Sequence, residues 1–559
     1  MKPESPYAAR PWRRHYDYWV RSNLSYPGRS LSDILNLTAI ERPDRPATQF
    51  LGAQLTFLEL KTRADALAAA LARFGIVKGD RVGIMLPNCP QYIFSAFAVL
   101  RLGAIIVNIN PSYTARELVT IAADSGVRLV ITLDALAPLV LSVRGAGAPA
   151  IEQVIVTSLA EYSAAGAGAP RVDDTQTLAD LLAPVAPAEL PRVEIDPQDV
   201  AVLQYTGGTT GTPKGAMLTH GNIWANVVQT ESWTNPSYIL NGNERYLVVI
   251  PYFHIYAFAV CMMVGLRIGA LQIIHSKYEP EAVLTAIRDL RPTYFPAVPT
   301  VFVSLLTHPK VGEYGLDRVR LFNSGGAPCP LEVLEEFERR LGRPLGEGYG
   351  LSETSPVTHS TPQLAFRKMG TVGLPFPDTD QKIVDVETGA RELPIGEIGE
   401  LCIAGPQVMK GYWQKPEETA AALRTDAAGR VWFHTGDIAR MDEDGYTSIV
   451  QRKKDMIIVD GYNVYPSDVE SMLYSHPAVR LAAVIGIPDA YHGETVKACI
   501  ALKPGTSVTK DEIIAYCREG LTEYKVPRVV EIRDTLPMSA VGKILYRVLR
   551  DEHAAAMKP

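Results

Sequence analysis

The chain has 559 residues, of which 47% are hydrophobic and 21% are charged, and its net charge is −6. This length exceeds what one hydrophobic core usually organises, so we expect several subdomains in a globular protein. The charge balance shows no strong basic excess, which disfavours nucleic acid as a partner.

Cysteine and histidine usage excludes several classes of site. None of the six cysteines falls at C-x-x-C spacing, and the ten histidines form no H-E-x-x-H pattern. This disfavours a zinc cluster or a disulfide framework and is typical of a reducing compartment. The longest uncharged apolar run, 255–266, is too short for a transmembrane segment, and residues 1–19 lack a signal-type apolar run. We therefore expect a cytoplasmic protein, and a greasy substrate would be compatible with peripheral membrane contact.

The first half of the chain alternates strand patterns with helix patterns. A buried strand at 80–86 is followed by a helix at 91–103, whereas 144–198 is rich in Ala, Pro and Gly and is interpreted as surface excursions or a peripheral unit. Strand–helix alternation favours parallel sheets covered by helices, an α/β fold. Further strands are predicted at 127–132, 245–250, 270–274 and 293–295.

The pattern changes in the last third of the chain. Short strands and turns begin near residue 378, as at 399–404 and 442–445, and indicate a small β-rich subdomain. After 451–455 we expect a separate α+β domain of about 100 residues, a normal domain size. The predicted domains are therefore 1–451 and 452–559. Within the second, strands are predicted at 481–487, 496–502 and 529–532, and a helix at 510–520.

The strongest local signal is the segment 205–215 (YTGGTTGTPKG), which follows an apolar run at 200–203. Glycines let backbone N–H groups approach phosphate oxygens, threonine hydroxyls add donors, and Lys214 adds a positive charge. The segment lacks the Gly-Lys-Ser/Thr ending of a Walker A loop. A flexible surface loop is the alternative, but the preceding buried strand favours phosphate binding.

Extended through His220, this loop resembles the phosphate-binding signature of the acyl-adenylate-forming superfamily, the ATP-dependent AMP-binding enzymes. Other motifs of that family follow in its order and at its usual separations, so the resemblance covers residues 30 to 550. It is closest to bacterial medium- and long-chain fatty acyl-CoA ligases. The further motifs are 251–254 (PYFH), 324–328 (SGGAP), 347–353 (EGYGLSE), 435–437 (TGD), 452–455 (RKKD) and 542–543 (GK).

The resemblance implies a fold and an activity. The fold is α/β, with a large N-terminal region of two α/β subdomains and a β-barrel-like subdomain, followed by a small mobile C-terminal α+β domain. The activity uses ATP, Mg²⁺ and coenzyme A: a carboxylic acid is converted to an acyl-adenylate with release of pyrophosphate, and the acyl group then passes to CoA. A homodimer is compatible with the family.

The resemblance also implies a nucleotide site. Asp437 would accept the ribose hydroxyls with help from Arg452, Tyr349 would stack on adenine, Ser352 would contact the α-phosphate, and Glu353 would bind Mg²⁺ together with Thr206. Magnesium commonly takes only one or two carboxylates beside phosphate oxygens. The other nucleotide-binding positions are Gly207, Gly208, Thr209, Thr210, Lys214, Gly325, Gly326, Ala327, Glu347, Gly348 and Gly350.

Catalysis and domain motion are assigned to a few residues in the same way. Lys543 would stabilise charge during adenylation, with Lys214 and Glu353 acting on the phosphates. Lys454 stands at the hinge position, where a few dihedrals absorb a rotation of the C-terminal domain. That rotation would bring Gly461 to the pantetheine arm of CoA. His254 would gate the acyl pocket; Tyr256, Gly326 and Gly350 line the substrate side.

The acid itself is indicated by the segment 255–266 (IYAFAVCMMVGL), predicted to form the pocket helix. It is apolar and contains two adaptable methionines, and it carries no charge that would recognise an amino group or a second acid. This favours a fatty acid. An aryl-acid (coumarate-type) CoA ligase and an acyl-AMP ligase that loads a carrier protein are the alternatives.

Overall fold

The computed structural model describes residues 5–144, 151–182, 190–206, 213–236, 242–460, 462–489, 491–539 and 542–557. A π-helical segment, Ala257–Val264, lies within the predicted pocket helix. The α-helices are α1 (Ser32–Glu41), α2 (Phe57–Arg73), α3 (Pro90–Arg101), α4 (Ala115–Ser125), α5 (Ala137–Arg144), α6 (His220–Trp233), α7 (Gly265–Arg267), α8 (Pro280–Leu290), α9 (Pro299–Leu306), α10 (Leu331–Leu341), α11 (Pro416–Ala422), α12 (Pro466–Ser475), α13 (Lys510–Gly520) and α14 (Tyr546–Ala556).

The strands are short in the first part of the chain and longer towards the end. They are β1 (Pro46–Phe50), β2 (Ala53–Thr56), β3 (Arg81–Met85), β4 (Ile105–Asn108), β5 (Leu129–Leu133), β6 (Gln153–Thr157), β7 (Gln176–Thr177), β8 (Val200–Thr206), β9 (Lys214–Thr219), β10 (Arg245–Val248), β11 (Leu271–Ile274), β12 (Tyr294–Ala297), β13 (Leu321–Gly325), β14 (Leu345–Gly350), β15 (Val357–Ser360), β16 (Leu374–Pro375), β17 (Asp380–Val384), β18 (Gly399–Ala404), β19 (Gly411–Tyr412), β20 (Leu423–Thr425), β21 (Val431–Met441), β22 (Thr447–Arg452), β23 (Ile457–Val459), β24 (Tyr462–Val464), β25 (Val479–Asp489), β26 (Gly493–Leu502) and β27 (Val529–Arg533).

Two mainly parallel sheets form the large N-terminal part. One has eight strands in the order β19-β9-β8-β4-β3-β5-β6-β7, and the other has nine in the order β16-β15-β14-β13-β12-β10-β11-β1-β2. Helix α3 is buried on every side from Pro90 to Leu100. It shares one hydrophobic core with Ile84 of the first sheet and with Leu247 and Phe295 of the second. A helix that is buried on all sides must be surrounded by other parts of the protein. Helix α3 therefore packs against both sheets.

Local sequence explains where several of these helices begin and end. Thr56 and Glu59 form a reciprocal capping box at the start of α2, and Thr219 and Asn222 do the same at α6. Such boxes satisfy backbone donors that the first helical turn leaves unpaired. Helix α4 ends at Gly126, whose φ of 63° is readily adopted by glycine.

The last third is organised as predicted into antiparallel and α+β parts. Strands β17, β18, β21 and β20 form a five-stranded antiparallel sheet together with β22. Beyond it, β23–β27 form a second five-stranded sheet with its own hydrophobic core, to which α12 and α13 contribute. The α/β class with a smaller C-terminal α+β part is thereby confirmed. The strands predicted at 399–404 and 529–532 and the helix at 510–520 lie where expected.

One interpretation needs correction. The segment 144–198 is more than a surface excursion, because strand β6 within it pairs in parallel with β5 and is buried along most of its length. Its residue Ile155 packs into the core that the two sheets share, whereas Val154 and Val156 pack into a second core on the opposite face of the sheet. The Ala, Pro and Gly around them conceal this strand. Within the described residues, no helix combines the length and apolar character needed to cross a bilayer.

Candidate active site

The strands on either side of the predicted phosphate loop form an antiparallel pair. In β8 and β9, Tyr205 stands opposite Gly215 and Thr206 stands opposite Lys214. A Walker A loop leads into a helix, whereas here a strand begins at Lys214. Both Thr206 and Lys214 are half-buried. The loop residues Gly207, Gly208, Thr209 and Thr210 lie outside the described part of the chain.

Tyr412 connects Lys214 to Glu353. The Tyr412 hydroxyl donates to Glu353 Oε1 over 2.8 Å, and Lys214 Nζ lies 5.3 Å from the centroid of the Tyr412 ring. The backbone of Glu353 is also held, since its carbonyl accepts from Met409 N over 2.8 Å. Burial and the neighbouring carboxylate raise the pKa of Tyr412, so the hydroxyl remains a donor. The sequence analysis missed Tyr412, because a single Gly-Tyr pair carries no chemical signature.

Glycines allow a second wall of the site to form between β13 and β14. These strands pair in parallel, with Gly325 opposite Gly348. A Cβ on Gly325 would lie 3.2 Å from the Tyr256 ring, and one on Gly350 would lie 2.0 Å from the carbonyl oxygen of Pro356. Gly326 adopts a φ of 82°, a conformation that favours glycine. Ala327 follows it, half-buried. This backbone wall is as thin as the sequence analysis expected.

Asp437 is the buried centre of a polar triad. Its Oδ2 accepts from the Tyr349 hydroxyl over 2.6 Å, and its Oδ1 lies 2.8 Å from Arg452 Nε. The aspartate is 2% exposed, and its strand β21 pairs with β22 so that Asp437 stands opposite Arg452. Burial and the aspartate raise the pKa of Tyr349, and Asp437 raises the pKa of Arg452. The triad joins three of the predicted nucleotide-binding residues.

Glu347 lies on β14, two residues before Tyr349. Its side chain borders a cavity of about 10 Å³ together with Leu334, Thr361 and Arg367. Burial raises the pKa of Glu347 to about 8. Ser352 is half-buried one residue before Glu353, the predicted metal ligand, in a short 3-10 turn.

His254 is held as a neutral ring on the acyl side. Its Nδ1 accepts from the backbone N–H of Tyr256 over 3.2 Å, and the Tyr256 hydroxyl donates to Asn323 Oδ1 over 3.1 Å. Burial, with a smaller effect of Lys543, lowers the pKa of His254 to about 3. A ring that stays neutral near pH 7 fits a gate better than a cation. Asn323 had no sequence signal, since a lone asparagine in a strand forms no motif.

Lys543 reaches this site from the far end of the chain. Its backbone is shaped by a turn in which Ser539 Oγ accepts from Lys543 N over 3.1 Å and Ser539 N donates to Lys543 O over 2.7 Å. The Lys543 Cε atom lies 3.4 Å from where a Cβ on Gly326 would stand. Burial and Arg452 lower the pKa of Lys543 to about 8, opposed by Asp437 and Glu353. The structure therefore places Lys543 against the glycine wall.

Most residues of this site lie within two family matches. Residues 36–413 match the AMP-binding enzyme family, and residues 468–543 match the AMP-binding enzyme C-terminal domain. The chain belongs to the AMP-binding enzyme family. The match spans the hairpin, the glycine wall and Glu353, and the second match ends at Lys543.

Two curated relatives and one solved structure are similar to this chain over most of its length. The chain is 42% identical over 558 residues to the long-chain-fatty-acid–CoA ligase of Bacillus subtilis, covering 97% of this chain and 98% of the relative. It is 38% identical over 509 residues to the feruloyl-CoA synthase of an Amycolatopsis species, covering 91% and 96%. The anthranilate CoA ligase AuaEII in complex with anthranoyl-AMP superposes with a TM-score of 0.83 at 26% identity, covering 96% and 99%.

The AMP-binding enzymes of this type use ATP, Mg²⁺ and CoA, and the residues present suit the metal. Within the described residues, no group of three or more His, Cys, Asp or Glu could hold a metal alone. Magnesium bound to a nucleotide needs no such cage, because phosphate oxygens and water supply most ligands. Glu353 is one half-buried carboxylate bonded to Tyr412, whose ring also lies near Lys214, and this arrangement fits that need.

The segment between the two sheets of the C-terminal half carries the predicted hinge of this family. Lys454 lies in a 3-10 turn, Lys453–Asp455, directly after β22. Burial and Arg452 lower the pKa of Lys454. Asp455 Oδ1 lies 2.9 Å from Arg550, and Lys453 lies 3.2 Å from Glu400. Ion pairs therefore connect this turn both to helix α14 and to strand β18. Gly461 lies outside the described residues.

Proposed function

We propose that this chain is an ATP-dependent fatty acyl-CoA ligase, an acid–thiol ligase that forms AMP and pyrophosphate. The observation that carries the proposal is the packing of the Lys543 side chain against Gly326 of the glycine wall, since these two residues come from distant parts of the chain. The negative charges of Asp437 and Glu353 act on Lys543 there and favour its cationic form. A phosphoryl-type transfer needs positive charge and fixed donors around one phosphorus. This cluster supplies both.

In the first half-reaction the fatty carboxylate attacks the α-phosphorus of ATP, an O–P bond forms, and pyrophosphate leaves with the electrons of the broken P–O bond. Asp437 would hold the ribose hydroxyls and Tyr349 would lie against adenine. Lys543, Lys214 and the Ser352 hydroxyl would face the phosphates. Glu353 and Thr206 would hold Mg²⁺, which would neutralise charge on the phosphates when bound. No general base is required, since the carboxylate is already ionised.

In the second half-reaction the CoA thiol attacks the acyl carbonyl, and AMP leaves. The thiol proton is lost and the C–O bond to the phosphate breaks. We propose that residues 452–559 rotate about Lys454 between the two steps, which would withdraw Lys543 and present Gly461 to the pantetheine arm. The separate core of the C-terminal sheet and the single turn between it and β22 support this division.

The acid is proposed to be a medium- or long-chain fatty acid. The helix after His254 is apolar and buried throughout Ala257–Val264, and the named function of the Bacillus subtilis relative points to the same class. The identity to a feruloyl-CoA synthase makes an aryl-acid CoA ligase the second candidate. Free thiols at all six cysteines support a cytoplasmic location. A homodimer stays a prediction.

A substrate panel tests the proposal. Purified protein with ATP and Mg²⁺ is offered acids from acetate to oleate, together with coumarate and ferulate, and pyrophosphate release is followed with and without CoA. Sustained CoA-dependent turnover that peaks with one chain-length class is expected. Preference for coumarate or ferulate would establish the second candidate. A single stoichiometric burst that CoA leaves unchanged would point to a carrier-protein acceptor instead.

A further inference from the structure

The turn that carries Lys543 touches the large domain at one well-defined place. Thr300 stands at the second position of helix α9, which begins after Val298. Its hydroxyl donates to the carbonyl oxygen of Gly542 over 3.1 Å. Gly542 immediately precedes Lys543 in the chain. A side-chain donor of the large domain is therefore bonded to the backbone that presents the predicted catalytic lysine.

The packing around that bond is close. A Cβ on Gly542 would lie 2.9 Å from the Thr300 hydroxyl and 3.0 Å from a methyl group of Val298, and Gly542 has a φ of 74°. Another methyl group of Val298 lies 3.6 Å from where a Cβ on Gly326 would stand. The start of α9 thus contacts both the Lys543 turn and the glycine wall that Lys543 faces. Any shift of the turn would break the Thr300 bond.

We propose that Thr300 is a positioning residue for Lys543, whose hydroxyl fixes the Gly542 carbonyl and thereby seats the lysine at the nucleotide site during adenylation. The inference rests on the function proposed above and adds a residue to it. Placing the Lys543 ammonium at this buried position costs free energy, because the ammonium loses hydration. A contact made only in this arrangement offsets part of that loss, so it affects the first half-reaction and not the second.

The test separates the two half-reactions in three variants. Thr300→Val keeps the shape and removes the donor, Thr300→Ser keeps the donor, and Thr307→Val removes a hydroxyl at the exposed end of the same helix, where it bonds only to Ser304 O. Adenylation is measured as pyrophosphate release without CoA in single turnover, and thiolation as CoA consumption from prepared acyl-AMP.

Thr300→Val is expected to slow adenylation about fivefold to tenfold, the factor expected from one net hydrogen bond. Thiolation should stay within about twofold of the parent, Thr300→Ser should recover most of the loss, and Thr307→Val should match the parent in both steps. Unchanged adenylation in Thr300→Val would overturn the proposal. Equal loss of both steps would also overturn it, since that indicates a general role in folding.

Failure of the proposed function gives a different result. If the parent protein forms no acyl-AMP from any acid, the ligase assignment itself is wrong. If it forms acyl-AMP but Lys543→Ala adenylates as fast as the parent, the role of Lys543 is wrong and the Thr300 proposal falls with it. When Lys543→Ala is slow, a Thr300→Val variant that adenylates normally, or one that loses both steps equally, rejects the positioning role and leaves the proposed function intact.

Discussion

Some site residues belong to recognisable sequence motifs, whereas others are identified only by their contacts in the structure. Family motifs singled out Lys214, Glu353, Asp437 and Lys543, and their roles stay predictions. Several polar residues that contact the site were not predictable. Tyr412, Asn323 and Thr300 act by donating or accepting one hydrogen bond across a long sequence separation, and the sequence alone gives no sign of such a pairing.

Tyr412 offers a test at this scale. Tyr412→Phe removes the hydroxyl that donates to Glu353 Oε1 and leaves the ring beside Lys214. With its carboxylate less well fixed, Glu353 should hold magnesium nucleotide about ten- to hundredfold more weakly, a loss typical for supporting residues around a metal ligand. Binding of Mg·ATP by calorimetry measures it. Tyr113→Phe, at a tyrosine outside the site, is the control, and unchanged Mg·ATP affinity in Tyr412→Phe would contradict the prediction.

The pH profile of adenylation tests Lys543. A lysine acts as a cation only below its pKa, and the pKa of Lys543 lies at about 8 because the side chain is buried beside Arg452. The kcat/KM for ATP, which reports the free enzyme, should therefore fall as pH rises through about 8. Thiolation of prepared acyl-AMP should lack this loss.

Lys543→Arg is the matched variant for that profile. Arginine stays charged across the accessible pH range, so any residual adenylation should be flat between pH 7 and pH 9.5. A variant that keeps the same alkaline fall would show that the ionisation belongs to another group.

At the scale of elements, strands and helices with strong periodicity were predictable, and their bounds differed from the structure by a few residues. The strand predicted at 399–404 coincides with β18, and the helix predicted at 510–520 coincides with α13. Strand β6 was missed because Ala, Pro and Gly surround its five residues. The pairing of β14 with β15 was equally hidden, since register depends on a partner that the local pattern does not name.

Gly350 tests that pairing. In Gly350→Ala the new methyl group would stand 2.0 Å from the Pro356 carbonyl oxygen, so β14 and β15 would have to separate. Such overpacking typically costs about 1–3 kcal/mol. The thermal midpoint should fall by several degrees, and adenylation should weaken because Tyr349 lies on the same strand. Gly312→Ala meets no atom within 4 Å and should leave the midpoint unchanged. Equal midpoints for both variants would reject the predicted clash.

At the scale of the whole molecule, the order of domains was predictable and their contact was not. Family motifs placed most of the nucleotide residues in 1–451, and Arg452 and Lys543 in 452–559, yet how closely Lys543 approaches Gly326 depends on side-chain packing across the two parts. Domain rotation about Lys454 stays a prediction, because the structure holds one arrangement.

Lys454→Pro tests the rotation. Proline fits the φ of a 3-10 turn but cannot leave it, so the variant should retain the arrangement in which Lys543 faces the nucleotide. Adenylation should remain within about threefold of the parent, whereas thiolation should fall at least about tenfold, because φ at the hinge residue can no longer change. Lys454→Ala, with a free backbone, should perform both steps. Equal rates of thiolation in the two variants would rule out a hinge at this position.

The hairpin at β8 and β9 has a consequence for product release. Strand β9, and not a helix, follows the phosphate loop, so among the described residues no helix begins directly after that loop. Without a helix dipole at that point, attraction for pyrophosphate depends more on cationic side chains, and Lys543 is among those that would depart with the C-terminal domain. The same domain rotation that lets the CoA thiol enter would weaken the binding of pyrophosphate. Release of pyrophosphate would therefore be coupled to entry of CoA.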